Sequence, residues 1–387
     1  MHAFKARHML ALGSWADAFF LDPLVVHCNE TTPLWTSALL AATSAGGHWS
    51  EPWPHLILIP FYPSLLLIVF GALRERVGQA GAAWTAVLIA LTPAYGFALG
   101  GAGSHYVDVP LSVFFLGAAL GVFIFLERND AGALTVGVLL AFIAIHVKNE
   151  GLPVALAVLA PAAVRFVRSS EARARAERAI IAALLLGSTL PFHFIARSFF
   201  RTTQSQIWFH DLSAETFVQN VGRVPAILGL TGLEAANTTH WGLWWFLIIA
   251  AAVPLIVRRD RPLDTIFLIP GLVVIGSSLG IYWQDYMDFR EHIAWSFDRV
   301  LLQALPGAVC FTAPARGADA RGGAPNQTNH GAGRGAAEIK AHFSPQRTQR
   351  TQRRAGHRSQ AAGYRLQATG YSRARTHDGG YRLQVTG

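Results

Sequence analysis

The run Ala131-Gly-Ala-Leu-Thr-Val-Gly-Val-Leu-Leu-Ala-Phe-Ile-Ala-Ile-His-Val147 is followed at once by Lys148-Asn-Glu-Gly151 and then by a second apolar run over 152–167. A lysine and a glutamate two residues apart thus stand in a connection too short to be a water-soluble loop. Charges at such a depth are costly and usually mark a site. The competing reading is a lysine that snorkels to lipid phosphate at the bilayer surface. Working outward, apolar runs recur at 54–73, 80–100, 110–126, 131–147, 152–167, 179–196, 241–257, 265–283 and 300–313, which makes about nine candidate spans. Several are shorter than the ~20 residues that cross a bilayer core, and Pro306 interrupts the last. The expected fold is all-α, a polytopic transmembrane helix bundle with extracytoplasmic loops.

Composition agrees. Of 387 residues 52% are apolar and only 14% charged, whereas soluble domains carry roughly a quarter charged residues. The formal charge of +9 invites a nucleic-acid partner, but residues 314–387 hold 13 Lys and Arg against 3 acids, so the rest of the chain is close to neutral. The basicity belongs to a tail and leaves no basic groove for nucleic acid. That tail contains Arg347-Thr-Gln-Arg-Thr-Gln-Arg353 and repeats Gly-Tyr-Arg-Leu-Gln-Ala-Thr-Gly370 as Gly-Tyr-Arg-Leu-Gln-Val-Thr-Gly387. Its polar, glycine-rich sequence cannot bury enough surface to offset ordering, so disorder is expected. Cys28 and Cys310 form neither a metal spacing nor a disulfide framework. The expected organisation is an extracytoplasmic segment over 1–53, the bundle over 54–313 and the tail over 314–387.

Orientation follows from the basic residues. Arg74, Arg76, Arg128, Arg165, Arg168, Arg173, Arg175, Arg178, Arg258, Arg259 and Arg261 fall in one set of alternate connections; Lys148, Arg197, Arg201, Arg223, Arg290 and Arg299 fall in the other. The denser set belongs in the cytoplasm. The opposite face then collects the unusual polar residues. Gly101-Ala-Gly-Ser-His-Tyr-Val-Asp-Val-Pro110 brings His105, Tyr106 and Asp108 to the start of the third span, although an acid before a proline also suits a plain helix N-terminus. Gln284 to Arg299 alternates acids with Arg290, His292 and Arg299 among aromatics, as an interfacial belt also would. Within 198–240, Phe217, Val221, Val224 and Leu228 outline a surface helix that Pro225 interrupts. It would lie on the membrane as a cleft wall or pack on the bundle.

External carboxylates beside external cations suit group transfer from a lipid-linked phosphate. A carboxylate takes the proton of an acceptor hydroxyl. Lys, Arg or a divalent cation stabilises the leaving phosphate. A transporter or flippase of lipid-linked saccharide is the other reading, but it would place polar or broken segments at mid-membrane, and here the ionisable groups gather at one face.

At Tyr106-Val-Asp-Val-Pro110, Lys148-Asn-Glu-Gly151 and Ser296-Phe-Asp-Arg299 the chain resembles the GT-C superfamily of integral membrane glycosyltransferases, in particular bacterial relatives of protein O-mannosyltransferases and aminoarabinose transferases. The resemblance implies a polyprenyl-phosphate sugar donor, membrane lipid as surroundings, and an acceptor hydroxyl on a glycan, lipid or protein. It also implies work on the outer face of a bacterial inner membrane. Asp108 and Glu150 would be the catalytic acids, and His105, Tyr106, Lys148 and Arg299 would bind donor, with a divalent cation as a candidate cofactor. In relatives an essential acid follows the first transmembrane helix; the resemblance places both upstream of Met1. Thr31-Thr-Pro-Leu-Trp35 stands where relatives carry an Asp-Tyr-Pro-Leu type sequence. These two departures are what a truncated copy without activity would show.

Overall fold

The computed structural model describes residues 2–12, 56–96, 107–188, 190, 214–258, 262–283 and 288–313. The tail 314–387, most of 1–53, and His105 and Tyr106 lie outside them, so the expectations for those segments concern undescribed residues. All regular elements among the described residues are helical. In chain order they are α1 (His2–Leu12), α2 (Phe61–Ala90), α3 (Asp108–Arg128), α4 (Ala131–Val147), α5 (Gly151–Arg168), α6 (Ser170–Arg175), α7 (Glu177–Gly187), α8 (Ala214–Gln219), α9 (Val224–Ala235), α10 (Trp244–Arg258), α11 (Ile269–Trp283) and α12 (Phe289–Thr312). Short turns of helix at Pro93–Gly96, Val221–Arg223, Thr238–Trp241 and Pro262–Leu268 link them.

The first two apolar runs are the arms of α2, which is broken at Gly78. Its φ of 79° belongs to the region that favours glycine. A straight helix would hold Tyr62 and Ala90 about 42 Å apart, yet the Tyr62 hydroxyl donates to the Ala90 carbonyl at 2.9 Å. The arms therefore run antiparallel. The next reversal uses Asn129, left-handed at φ 56° as the cap of α3, and Asp130, whose carboxylate accepts from the amides of Gly132 and Ala133 at the start of α4.

α3 is apolar on every side and buried almost continuously from Asp108 to Ala119, as suits a central helix. It packs against α2, α4, α5 and α12. Its approach to α4 is set by small residues: a Cβ on Gly121 would stand 2.6 Å from the Ala133 carbonyl and 2.7 Å from Gly137 Cα. Such pairs let two helix backbones meet.

The outer helices are inverted relative to a soluble protein. Leu67 and Trp84 on α2, Leu156 and Val167 on α5, Phe246 and Val253 on α10, and Leu272 on α11 are exposed. Three segments, Asp108–Arg128, Gly151–Arg168 and Pro262–Trp283, are long and apolar enough to cross a membrane, and Ala131–Val147 and Trp244–Pro254 are shorter apolar helices. The chain has the build of a membrane protein.

Pro306 does not interrupt the last helix, as its sequence suggested; α12 is continuous through it. A proline lacks the amide that would satisfy the carbonyl four residues earlier, which is Leu302. The Tyr95 hydroxyl donates to that carbonyl at 2.8 Å. Tyr95→Phe should leave it buried and unpaired and lower stability by about 1–3 kcal/mol, read as the shift in thermal unfolding of the detergent-solubilised protein. An unchanged midpoint would show that the helix does not need the tyrosine.

Candidate functional site

Antiparallel helices bring distant sequence to one end of the bundle. Asp108 opens α3, Lys148 caps the C-terminus of α4, Glu150 precedes α5, and Arg299 lies in α12. Their side chains meet. Lys148 Nζ donates to Asp108 Oδ1 at 3.0 Å and lies 3.1 Å from Glu150 Oε1. Arg299 Nε donates to Asp108 Oδ2 at 2.8 Å. Gln303 Nε2 donates to Asp108 Oδ1 at 2.6 Å. Two acids and two cations balance within the cluster, which tolerates burial far better than an unpaired charge.

Exposure divides the roles. The Asp108 side chain is 0% exposed, whereas those of Lys148 and Arg299 are each 19% and that of Glu150 is 22% exposed. Both Asp108 oxygens are taken by its three partners. A wholly buried carboxylate bound to two cations is a poor proton acceptor and does not meet an incoming hydroxyl. Asp108 is thus placed to position Lys148 and Arg299, and of the two expected catalytic acids it is the one wholly shielded from solvent. Burial alone would pull the Lys148 ammonium down, but the Asp108 and Glu150 carboxylates outweigh it and hold its pKa above the usual lysine value. The ammonium stays charged at neutral pH. Of its three N–H groups, two are directed to Asp108 and Glu150, and the third has no partner among the described residues. Glu150 Oε2 has none either.

Asp298, two residues before the apolar stretch of α12, adds to this end. Burial pushes its carboxyl up, against the lowering effect of the Arg299 amide and guanidinium, and the charges of Glu234 and Asp108 raise it further. No cluster of three or more His, Cys, Asp or Glu suited to a metal occurs among the described residues.

Gln303 was missed in the sequence. An amide in an otherwise apolar run, four residues after Arg299 and so on its helix face, is the signal that marks it. A second buried pair was missed as well. Arg76 Nη2 donates to Asp264 at 2.7 Å and Arg76 Nη1 to the Cys310 carbonyl at 3.0 Å, with the guanidinium against the rings of Phe123 and Phe267. It ties the α2 elbow to α12 at the opposite end, where Arg128 also pairs with Glu75. From Arg299 to Cys310 is 11 residues of helix, about 16 Å. Arg76, Arg128 and Arg165, all from the denser set of the sequence, meet at this second end, where Arg165 donates to the Leu126 carbonyl.

Compared with family models, with curated proteins and with solved structures, the chain finds no match in any of the three.

Proposed function

We propose that the chain is a membrane glycosyltransferase of the GT-C kind, moving a sugar from a polyprenyl phosphate to an acceptor hydroxyl on the face away from the cytoplasm. In this reading all nine apolar helices and arms cross the bilayer, and the arginine-rich end is cytoplasmic. The observation that supports it most is the adjacency of Lys148 and Glu150 on the buried anchor Asp108. Among the described residues, one offers an unpaired N–H beside the other's unpaired carboxylate oxygen.

The chemistry assigned to them is balanced. The acceptor hydroxyl gives its proton to Glu150 Oε2 as its oxygen bonds to the anomeric carbon. The bond from that carbon to the phosphate oxygen breaks, and its electron pair leaves on the polyprenyl phosphate. Lys148 and Arg299 stabilise the negative charge that gathers there. Asp108 keeps both cations in place and takes no proton.

The test is release of free polyprenyl phosphate from a panel of polyprenyl-phosphate hexoses by the protein in lipid nanodiscs. Glu150→Gln should lower the rate about 10²–10⁴-fold while Lys148 remains bound to Asp108. Release by the wild type that is undiminished in Glu150→Gln would remove Glu150 from the reaction. No release from any donor would defeat the proposal itself.

A further inference from the structure

A cavity of about 390 Å³ lies between α9 and the first turns of α12, lined by Leu230, Leu233, Glu234, Asn237, Arg290, Ile293 and Ala294. Its volume is in the range of small-molecule pockets. Three of the lining groups are polar and four apolar. Glu234 Oε1 is held by His240 Nδ1 at 2.8 Å. The same Nδ1 lies 3.2 Å from Asn237 Nδ2, and Glu234 Oε2 has no partner among the described residues. The Arg290 guanidinium stacks on the Phe289 ring at 5.7 Å, and no acid pairs with it among the described residues.

The wall therefore presents a carboxylate acceptor and a fork of guanidinium donors with compensating charges, beside a patch of aliphatic carbon. An anion would meet Glu234 as a repulsive neighbour, and a cation would meet Arg290. A saccharide matches both halves, since each hydroxyl donates and accepts and the C–H faces of the ring are apolar. Two features tie the cavity to its surroundings. Asp298 feels the charges of both Glu234 and Asp108, so the cavity and the Asp108 cluster are electrostatic neighbours. Leu228, Leu233, Val218 and Val221 are exposed on the same segment, a surface continuous in character with the outward apolar faces of the bundle.

We infer that this cavity binds the acceptor saccharide, with Glu234 and Arg290 on its hydroxyls and Leu230, Leu233 and Ile293 on its carbon face, the aliphatic part of the acceptor lying on exposed α9. The inference rests on the proposed transfer for the word acceptor and on the cavity alone for binding.

The experiment is saturation-transfer NMR with the full chain in phosphatidylcholine nanodiscs and a panel of hexyl glycosides (glucoside, galactoside, mannoside) as probes. At least one probe should bind. Ala294→Trp, which fills the cavity, and Glu234→Gln should each weaken it at least tenfold, whereas Gly276→Ala, whose added Cβ meets nothing within 4 Å, should leave it unchanged. Equal binding in wild type and Ala294→Trp would mean partition into lipid and would overturn the inference, as would failure of every probe to bind. Competition by inorganic phosphate at concentrations that leave Gly276→Ala and wild type alike would mark an anion site and overturn it too. The two readings fail separately. Polyprenyl phosphate release without probe binding removes the cavity from the reaction, while probe binding without release keeps the cavity and defeats the transferase.

Discussion

Asp108→Ala should lower stability by about 3 kcal/mol and bring the proposed transfer to background, because it removes the fully buried carboxylate that both partly buried cations bind. Lys148 and Arg299 both hydrogen-bond this one carboxylate, at 3.0 and 2.8 Å, and lose it together. Gln303 Nε2 would also lose its acceptor. The loss is read from the denaturant midpoint followed by fluorescence, for which the chain's 11 tryptophans give ample signal. A triple variant separates structure from chemistry. With Asp108→Leu, Lys148→Met and Arg299→Met together, no charge of the central trio remains buried, and replacement of such clusters by apolar side chains is commonly neutral or stabilising. Most of the lost stability should therefore return, but transfer should not, since the two cations to which the proposed reaction assigns the leaving phosphate are gone. Full activity in Asp108→Ala would show that Lys148 and Arg299 hold their positions without an anchor.

How far this arrangement could be read from sequence depends on the distance over which each feature is encoded. The helices follow from local hydrophobic runs: the described part of each run lies largely in a helix or helix arm, and three segments are long and apolar enough to cross a membrane. The grouping of Arg76, Arg128 and Arg165 at one end was legible because charge counts along a chain need no tertiary knowledge. Asp108, Lys148, Glu150 and Arg299 were each singled out as polar residues at the edges of apolar runs. Their convergence was not legible. Arg299 meets Asp108 across 191 positions, and nothing periodic in either segment names the other. The same holds for Arg76 and Asp264 across 188. Pro306 was misread for a related reason, since its missing hydrogen bond is replaced by Tyr95 from 207 positions away from Leu302. The surface helix was half legible: Pro225 does not interrupt a helix but falls in the first turn of α9, where a proline is tolerated. Phe217 packs on Trp283 instead of facing lipid.

Gly151→Ala should be the most damaging of the glycine-to-alanine changes among the described residues. The reversal from α4 to α5 takes only Lys148, Asn149 and Glu150, with the Gly151 amide donating to the Lys148 carbonyl at 2.9 Å and the Lys148 amide to the Ala144 carbonyl at 3.3 Å. A Cβ on Gly151 would overlap the carbonyl carbon and oxygen of Ala144 and the amide nitrogen of Ile145. These are backbone atoms of the last turn of α4 and have no rotamer to escape into. The turn must open, at a cost of about 3 kcal/mol. Lys148 and Glu150 are the two residues it carries, and a displacement of about 1 Å at a reacting group is enough for a 10²-fold loss of rate. Transfer should thus fall by at least that factor even under conditions where the variant is fully folded. Gly276→Ala is the matched control: it lies in α11 with nothing within 4 Å of its would-be Cβ, so the helix should gain up to about 1 kcal/mol with transfer unchanged. If Gly151→Ala instead melted and turned over like Gly276→Ala, the tight reversal would not be what places Lys148 on Asp108, and the geometry assigned to the site would have to be abandoned.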